Sequence, residues 1–269
     1  MELAIGGEGL VADMRWSTEV VAVDRCDLSV SFSRGDGPVV VILHGQLGVA
    51  SVFQAFGNAL SGATVAIPDL RGRGQSVCYD ESAYTWARLA GDVVDVLDHL
   101  DAPSAVLAGA SMGAGLAVAT ALLHPDRVDA LALHALPYAG WNAGWLNEQL
   151  PLMRSTLEFA REVRDRSLEA AINSRSEQDP TTDVSSLRAR WTRHDPSSIA
   201  AALLGLGWTQ PFGDIQDLRA LAVPTGVCPG TDNLHPRSIG EECLTVINDA
   251  QSIGDAPADL ATFVNALAR

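Results

Sequence analysis

The fold is decided by residues 105–116, which read Ala105-Val106-Leu107-Ala108-Gly109-Ala110-Ser111-Met112-Gly113-Ala114-Gly115-Leu116. The apolar run 105–108 is typical of a buried strand, and the residues after Ser111 are typical of a buried helix. Between them, Gly109 to Gly113 have the Gly-x-Ser-x-Gly spacing of a tight turn that exposes a serine hydroxyl. Side chains in place of the glycines would clash in such a turn. The stretch therefore predicts a strand, a strained turn and a helix, with Ser111 as a nucleophile.

The uncharged run 105–123 is also about as long as a membrane span, and Gly109 and Gly113 form a small-xxx-small pair. Ala and Gly dominate the run, whereas spanning helices are usually richer in Leu, Ile and Phe. Its first half is strand-like. We therefore expect a buried strand and helix here, and no membrane association.

On both sides of this stretch, strand-like and helical segments alternate, which is typical of a mostly parallel sheet covered by helices. The fold class predicted is α/β, with an eight-stranded type of sheet and helices on both faces. The strands are expected at 20–23, 28–32, 39–43, 64–67, 105–108, 128–133, 221–228 and 244–247. Helices are expected at 86–100 and 257–267, and after the turn at Ser111.

The alternation stops after the sixth strand, where residues 137–216 are helical and charged in patches. We predict a helical cap there, inserted into a core formed by 1–136 and 217–269. Tryptophans on a cap favour a small apolar or aromatic ligand. Trp141, Trp145 and Trp191 are candidates to line its pocket, although the same residues would also serve to hold the cap in place.

Two further motifs accompany the turn at Ser111: the loop 44–48, His-Gly-Gln-Leu-Gly, and the loop 69–76, Asp-Leu-Arg-Gly-Arg-Gly-Gln-Ser. With them, nearly the whole chain from about Leu28 onwards resembles the α/β-hydrolase fold superfamily. The resemblance implies an oxyanion hole formed by the backbone amides of Gln46 and Met112. It also implies a structural role for His44 and a catalytic acid just past the strand before the last one.

Asp232 is the residue at that position, although Asp is also common as a capping residue in loops. The resemblance places the catalytic histidine after the last strand, where this chain has Gln251. A truncated loop is an alternative alignment, because the interval from Asp232 to Gln251 is about nine residues short of the usual helix and strand. Either alignment leaves the base missing, since a glutamine amide cannot take a proton from serine.

Two histidines near the predicted rim of the sheet remain candidates for the missing base. His235 follows Asp232 by three residues, and His134 ends the strand after the Ser111 helix. His134 is also a candidate to contact the substrate. We expect His99, His124 and His194 to lie at the surface or at helix ends.

Three functions are open at this point. The first is a serine hydrolase acting on an ester, lactone, thioester or similar acyl bond, impaired or altered by the lack of the histidine. The second is a non-hydrolytic enzyme on the same fold, such as a cyclase, isomerase or lyase, because fold does not fix the reaction. The third is a protein that binds a ligand without catalysis.

The composition of the chain limits the classes of partner and cofactor that we expect. The net charge is −15, and all eighteen basic residues are Arg, so we expect neither nucleic acid nor anionic lipid as a partner. The composition is typical of high-GC bacterial genes. Four cysteines without a CxxC pair predict free thiols, with no metal site and no cofactor. The first fifteen residues lack an apolar signal-peptide core, which favours a cytoplasmic location. We also expect a monomer or homodimer.

Overall fold

The computed structural model describes residues 16–60, 62–254 and 256–267. Within these ranges the strands are β1 (Ser17–Val23), β2 (Cys26–Ser33), β3 (Val39–Leu43), β4 (Thr64–Pro68), β5 (Ala105–Ala110), β6 (Val128–His134), β7 (Thr225–Cys228) and β8 (Gln251–Ser252). The α-helices are α1 (Ala50–Asn58), α2 (Trp86–His99), α3 (Met112–Leu123), α4 (Leu150–Asp165), α5 (Leu168–Gln178), α6 (Val184–Trp191), α7 (Pro196–Leu206), α8 (Arg237–Val246) and α9 (Pro257–Leu267). Residues 1–15, on which the expectation of no export signal rests, lie outside the described residues.

The strands form a single sheet in the order β1-β2-β4-β3-β5-β6-β7-β8. Only the two pairings that involve β2 are antiparallel, and the other five are parallel. The prediction of a mostly parallel eight-stranded sheet with helices around it is therefore confirmed.

The central strands are continuously apolar because they are buried on both faces. In β3, Val40 and Ile42 face the core under α1 and α9, whereas Val41 and Leu43 face the core that α2, α3 and α8 share. Successive side chains of a strand point to opposite faces, so two covered faces require every residue to be apolar. Parallel strands also bring their carboxyl ends to one edge, where loops from β3, β5, β6 and β7 meet.

The uncharged run 105–123 is divided between β5 and α3, which meet at Ser111. Within the described residues, no helix has the length and apolar character needed to cross a bilayer. The expectation of a buried strand and helix is confirmed.

Four helices, α4 to α7, lie between β6 and β7 and fall inside the predicted segment 137–216. We call them the helical insertion. The helices pack on one another, with α4 against both α5 and α7. The chain thus leaves the sheet after β6 and returns to it at β7.

The carboxyl-terminal strands differ from the prediction. Residues 244–247, expected to be a strand, form the end of α8, whose buried residues Ile239, Cys243 and Val246 recur at helical spacing. A four-residue apolar run fits either a strand or one face of a helix, and periodicity alone does not separate them. The last strand is β8, only two residues long, and β7 begins at Thr225 and not at Leu221.

Candidate active site

Ser111 lies at the sharp bend between β5 and α3. Its backbone has φ 55° and ψ −118°, which is an uncommon conformation for a residue with a side chain. Added side chains would collide with the carbonyl oxygen of Gly113 if placed at Gly109, and with that of Leu43 if placed at Gly113. The backbone N–H of Ser111 donates to the His134 carbonyl at 2.9 Å, which fixes the bend against β6. The serine side chain is thereby directed into a cavity.

His235 and Asp232 meet Ser111 from the loop after β7. The Nε2 atom of His235 lies 2.8 Å from Ser111 Oγ, and its Nδ1 atom lies 2.9 Å from Asp232 Oδ1. The same carboxylate oxygen accepts hydrogen bonds from the backbone N–H groups of Leu234 and His235, both at 2.9 Å. A side chain on Gly230 would collide with His235, so glycine there gives the loop room to fold back. One short turn thus holds both groups.

The protonation states follow from the environment of the two residues. Burial lowers the pKa of His235 below its ordinary value, although the negative charge and hydrogen bond of Asp232 act in the opposite direction. Burial would raise the pKa of Asp232, but the hydrogen bonds and charge of His235 outweigh it and lower that pKa overall. At neutral pH an ionised Asp232 therefore faces a neutral imidazole. A carboxylate can only accept, so Nδ1 carries the proton and Nε2 accepts one from Ser111.

The expectation that the base is missing, with Gln251 in its position, does not agree with the contact between His235 and Ser111. Gln251, placed in the catalytic position by the resemblance, is an exposed residue of β8 that pairs with Gly226. The alignment failed because α8 occupies the interval after His235 and because Gln251 lies within the last strand, not after it. Of the two open candidates, His235 is the residue in contact with Ser111.

The two predicted oxyanion donors flank Ser111. Met112 is the first residue of α3, so its backbone N–H has no acceptor within the helix. Gln46 lines the same cavity as Ser111, and a side chain on Gly45 would lie 3.4 Å from Ser111 Cβ. Among the described residues, neither amide donates to a protein acceptor. Both therefore remain able to bind an oxygen of a ligand.

Arg73 connects these two residues, a role that sequence reasoning missed. Its guanidinium is fully buried; Nε donates to the Gln46 carbonyl at 3.3 Å, and Nη2 lies 3.2 Å from Met112 Sδ. Nη1 donates to the Arg71 carbonyl at 2.7 Å. Burial lowers the pKa of Arg73 to about 10, so the group stays charged at neutral pH. The 69–76 motif was the available signal, but spacing alone did not show where the second arginine points.

The rest of the 69–76 loop is held by buried polar contacts. Arg71 binds Asp92 through two hydrogen bonds of 2.9 and 2.6 Å. Asp69 accepts from the backbone N–H groups of Ala50 and Gln75 at 2.6 and 2.9 Å. His44 accepts from the Leu70 N–H at 3.0 Å, and burial lowers its pKa to about 3, so it is neutral and structural. These contacts fix the loops around the cavity.

The cavity has a volume of about 580 Å³, within the range of small-molecule sites. Loops at the carboxyl edge of the sheet form its floor and include Ser111 and His235. The helical insertion forms the opposite wall. From α4 come Leu152, Met153 and Thr156, and from α6 and the residues after it come Ser186, Ala189, Arg190 and Arg193.

None of the predicted substrate-binding residues lines this cavity. Trp191 is buried against Phe159, with ring centroids 4.7 Å apart, and Trp145 packs on Tyr138. Trp141 is exposed. His134 is buried at the end of β6 and meets Ser111 through its carbonyl group. The prediction that the tryptophans line the pocket is wrong, because Trp191 packs within the helical insertion, Trp145 packs on Tyr138 and Trp141 faces solvent. His194, expected at the surface or at a helix end, lies between α6 and α7, is buried, and accepts from the Gly74 N–H at 2.9 Å.

Comparison with known proteins agrees with this architecture. A family model described as the alpha/beta hydrolase fold matches residues 38–210. An epoxide hydrolase from Caballeronia sordidicola is 35% identical over 121 residues, which are 44% of this chain and 36% of that relative. The chain thus spans little more than a third of the length of this curated relative.

Two solved structures show the same fold. An enol-lactonase from Burkholderia xenovorans LB400 has a TM-score of 0.67 and 22% identity, and the match covers 88% of this chain and 90% of that one. A thermophilic esterase from Thermogutta terrifontis has a TM-score of 0.69 and 24% identity, covering 94% and 96% respectively.

Proposed function

We propose, from the premise that this chain belongs to the alpha/beta hydrolase fold family, that it is a serine hydrolase of an ester, lactone, thioester or similar acyl bond. The observation that carries the proposal is the continuous chain of hydrogen bonds from Ser111 through His235 to Asp232. Nucleophile, base and orienting acid are within hydrogen-bond distance in the order that nucleophilic catalysis requires.

In the first half of the reaction, Ser111 Oγ attacks the acyl carbon while its proton passes to His235 Nε2. Asp232 stabilises the imidazolium that forms. The carbonyl oxygen of the substrate becomes negatively charged, and the amides of Gln46 and Met112 donate to it. His235 then gives its proton to the leaving group as the bond from the acyl carbon breaks, which leaves an acyl group on Ser111.

In the second half, His235 takes a proton from water, and the resulting hydroxide attacks the acyl carbon. The bond to Ser111 Oγ breaks, His235 returns a proton to that oxygen, and the carboxylic acid product leaves. Thus each proton is taken up and released by the same nitrogen.

Arg73 supports the negative oxygen indirectly in this proposal. Arg73 donates to the carbonyl oxygen of Gln46 and so holds this residue in place. The N–H of the same residue would bind the negative oxygen of the substrate. The buried positive charge of Arg73 also stabilises the negative charge on the substrate oxygen, because a buried cation is little screened by water. We therefore treat Arg73 as a positioning residue.

We propose that the helical insertion acts as the cap of this site, since α4 and α6 supply one wall of the cavity above Ser111. A covered cavity limits access of water and selects substrates by shape. The base within reach of Ser111 favours this proposal over a binding protein, which needs no base, and over a non-hydrolytic enzyme that forms no bond to the serine.

The test is labelling of Ser111 by a fluorophosphonate probe, with hydrolysis of 4-nitrophenyl butyrate measured in parallel. We expect labelling of the native chain, and loss of at least about 10⁴-fold in kcat in Ser111→Ala and in His235→Ala. His124→Ala is the matched control, because His124 lies outside the cavity at the end of α3. An unlabelled Ser111, or full activity in His235→Ala, would refute the proposal.

A further inference from the structure

The wall of the cavity opposite Ser111 has an unusual charge. Two guanidinium groups, those of Arg190 and Arg193, line it, whereas no Asp or Glu among the described residues does so. The chain as a whole carries a net charge of −15 and has thirty-three acidic residues. Among the described residues the charged groups on this lining are basic, in a protein that is acidic as a whole, and this favours recognition of a negative group.

Arg190 is available for such a contact. Its neighbour on α6, Arg188, is paired with Glu169 through two hydrogen bonds of 3.1 and 2.6 Å on the outer surface. In the described part of the chain, Arg190 forms no ion pair with a carboxylate. Arg190 lines the cavity in which Ser111 and His235 also lie, and it is exposed to solvent.

The other groups that line the cavity are both polar and apolar. Ser186 on α6 and Thr156 on α4 add hydroxyl groups to the wall formed by the helical insertion. The larger apolar side chains lie on both walls, and they are Leu47, Val52, Phe53, Leu152, Met153 and Leu234. Such a lining fits a ligand with an apolar stem and a polar, negatively charged end.

We propose that Arg190 binds a carboxylate of the substrate, so that the enzyme acts on acyl compounds with an apolar stem and an anionic end. This inference rests on the proposed function, because it assumes that the reacting acyl group sits at Ser111. Arginine suits the task, since its planar guanidinium matches a carboxylate with two parallel hydrogen bonds. Arg193 lies on the same wall.

The experiment compares esters that differ only in this charge. One pair is mono-4-nitrophenyl adipate and its methyl ester, which place the carboxylate on the acyl side. The other is 4-acetoxyphenylacetate and its methyl ester, which place it on the leaving-group side. In at least one pair we expect kcat/KM to favour the anion by about tenfold or more at low salt, and less at 0.5 M NaCl.

Variants at α6 locate the effect. Arg190→Ala should remove the preference, and Arg190→Glu should reverse it, mainly through KM. Arg188→Ala is the control, because it removes one positive charge from the same helix at a residue outside the cavity. An unchanged preference in Arg190→Glu, or an equal loss in Arg188→Ala, would overturn the inference.

Failure of this inference can be told from failure of the proposed function. If both members of each pair are hydrolysed equally and in a Ser111-dependent way, the function stands and the anion site is wrong. If neither is hydrolysed, calorimetry with Ser111→Ala decides: monomethyl adipate should bind at least about tenfold more tightly than dimethyl adipate, and equal or absent binding overturns the anion site.

Discussion

His235 and Asp232 are three residues apart, and their side chains meet at 2.9 Å within a single turn after β7. The backbone N–H of His235 donates to the same carboxylate oxygen at 2.9 Å. Asp232 thus orients His235 by contacting both its imidazole ring and its backbone N–H.

This arrangement predicts a specific pH dependence. Activity requires neutral His235, whose pKa is lowered mainly by burial, so kcat/KM should fall only below the ordinary histidine pKa of about 6.5. Asp232 raises the pKa of His235, so Asp232→Asn should move the acidic limb to still lower pH. It should also reduce kcat by about 10³- to 10⁴-fold, because the imidazole loses its fixed tautomer. The measurement is the pH profile of kcat/KM, and an acidic limb that stays in place or moves upward would contradict the assigned contact.

Arg73 provides the second prediction. If it positions Gln46 and Met112, then Arg73→Met should lower kcat by about 10- to 100-fold with little change in KM, since the contact matters mainly when the oxygen becomes negative. Arg73→Lys keeps the charge and should recover part of the loss. Thermal melting of both variants checks folding. A rise in KM with constant kcat would show that Arg73 acts on substrate binding instead.

Gln251 provides a negative prediction. Its side chain is exposed on β8, at the edge of the sheet, so Gln251→His should leave the rate of ester hydrolysis and the labelling of Ser111 unchanged. A large gain of activity in this variant would mean that the base acts from the end of β8 and that the contact of His235 is incidental.

Stability should fall in mild acid because two buried histidines are neutral in the folded protein. Burial lowers the pKa of His44 to about 3 and that of His194 to about 4, whereas both would have ordinary values in the unfolded chain. Between about pH 6.5 and these values the unfolded state binds more protons, so the free energy of unfolding decreases as pH falls. Urea unfolding at pH 5 and 7 measures the difference.

Variants without a titrating histidine identify the groups that cause this loss of stability in acid. His44→Gln keeps an acceptor for the Leu70 N–H, and His194→Asn keeps one for the Gly74 N–H. Each should reduce the pH dependence of the free energy of unfolding. The same dependence in the double variant would show that other groups, such as His235 or the carboxylates, are responsible instead.

The tryptophans of the segment 137–216 should affect stability and not substrate affinity. Trp191 is buried against Phe159, so Trp191→Ala should destabilise the fold by about 3–5 kcal/mol. Trp141 is exposed, and Trp141→Ala should change stability by no more than about 0.5 kcal/mol. KM of Trp191→Phe and Trp141→Ala should match that of the native chain. A clear rise in KM for either would place that ring in the substrate site.

Much of the fold could be predicted because central parallel strands are apolar on both faces and stand out as continuous runs. The run 39–43 matches β3 at both ends for this reason. The carboxyl-terminal part could not be predicted in the same way. A two-residue strand such as β8 has no periodicity, and the short apolar run 244–247 belongs to a helix.

The site was predicted in part. The spacing of 109–113 marks a bend that local sterics impose, so the exposure of Ser111 could be read from residue types alone. The base was misplaced because chain order in related proteins was followed, whereas the three-residue spacing of Asp232 and His235 already permits contact in one turn. The cavity walls could not be predicted, since the sequence pattern of α6 does not show the helix rotation that buries Trp191 and places Arg190 in the cavity lining.

Placing the acid and the base in one turn reduces the number of parts that must be aligned. With the two groups on separate loops, a small shift of either strand end would change both their mutual distance and their distance from the serine. Here a displacement of the β7 end carries the pair as a rigid unit, so only one separation, that between the pair and Ser111, has to be kept. The last strand, β8, and the loop after it do not position any of the three catalytic residues. Sequence change there should therefore be tolerated as long as α9 stays packed.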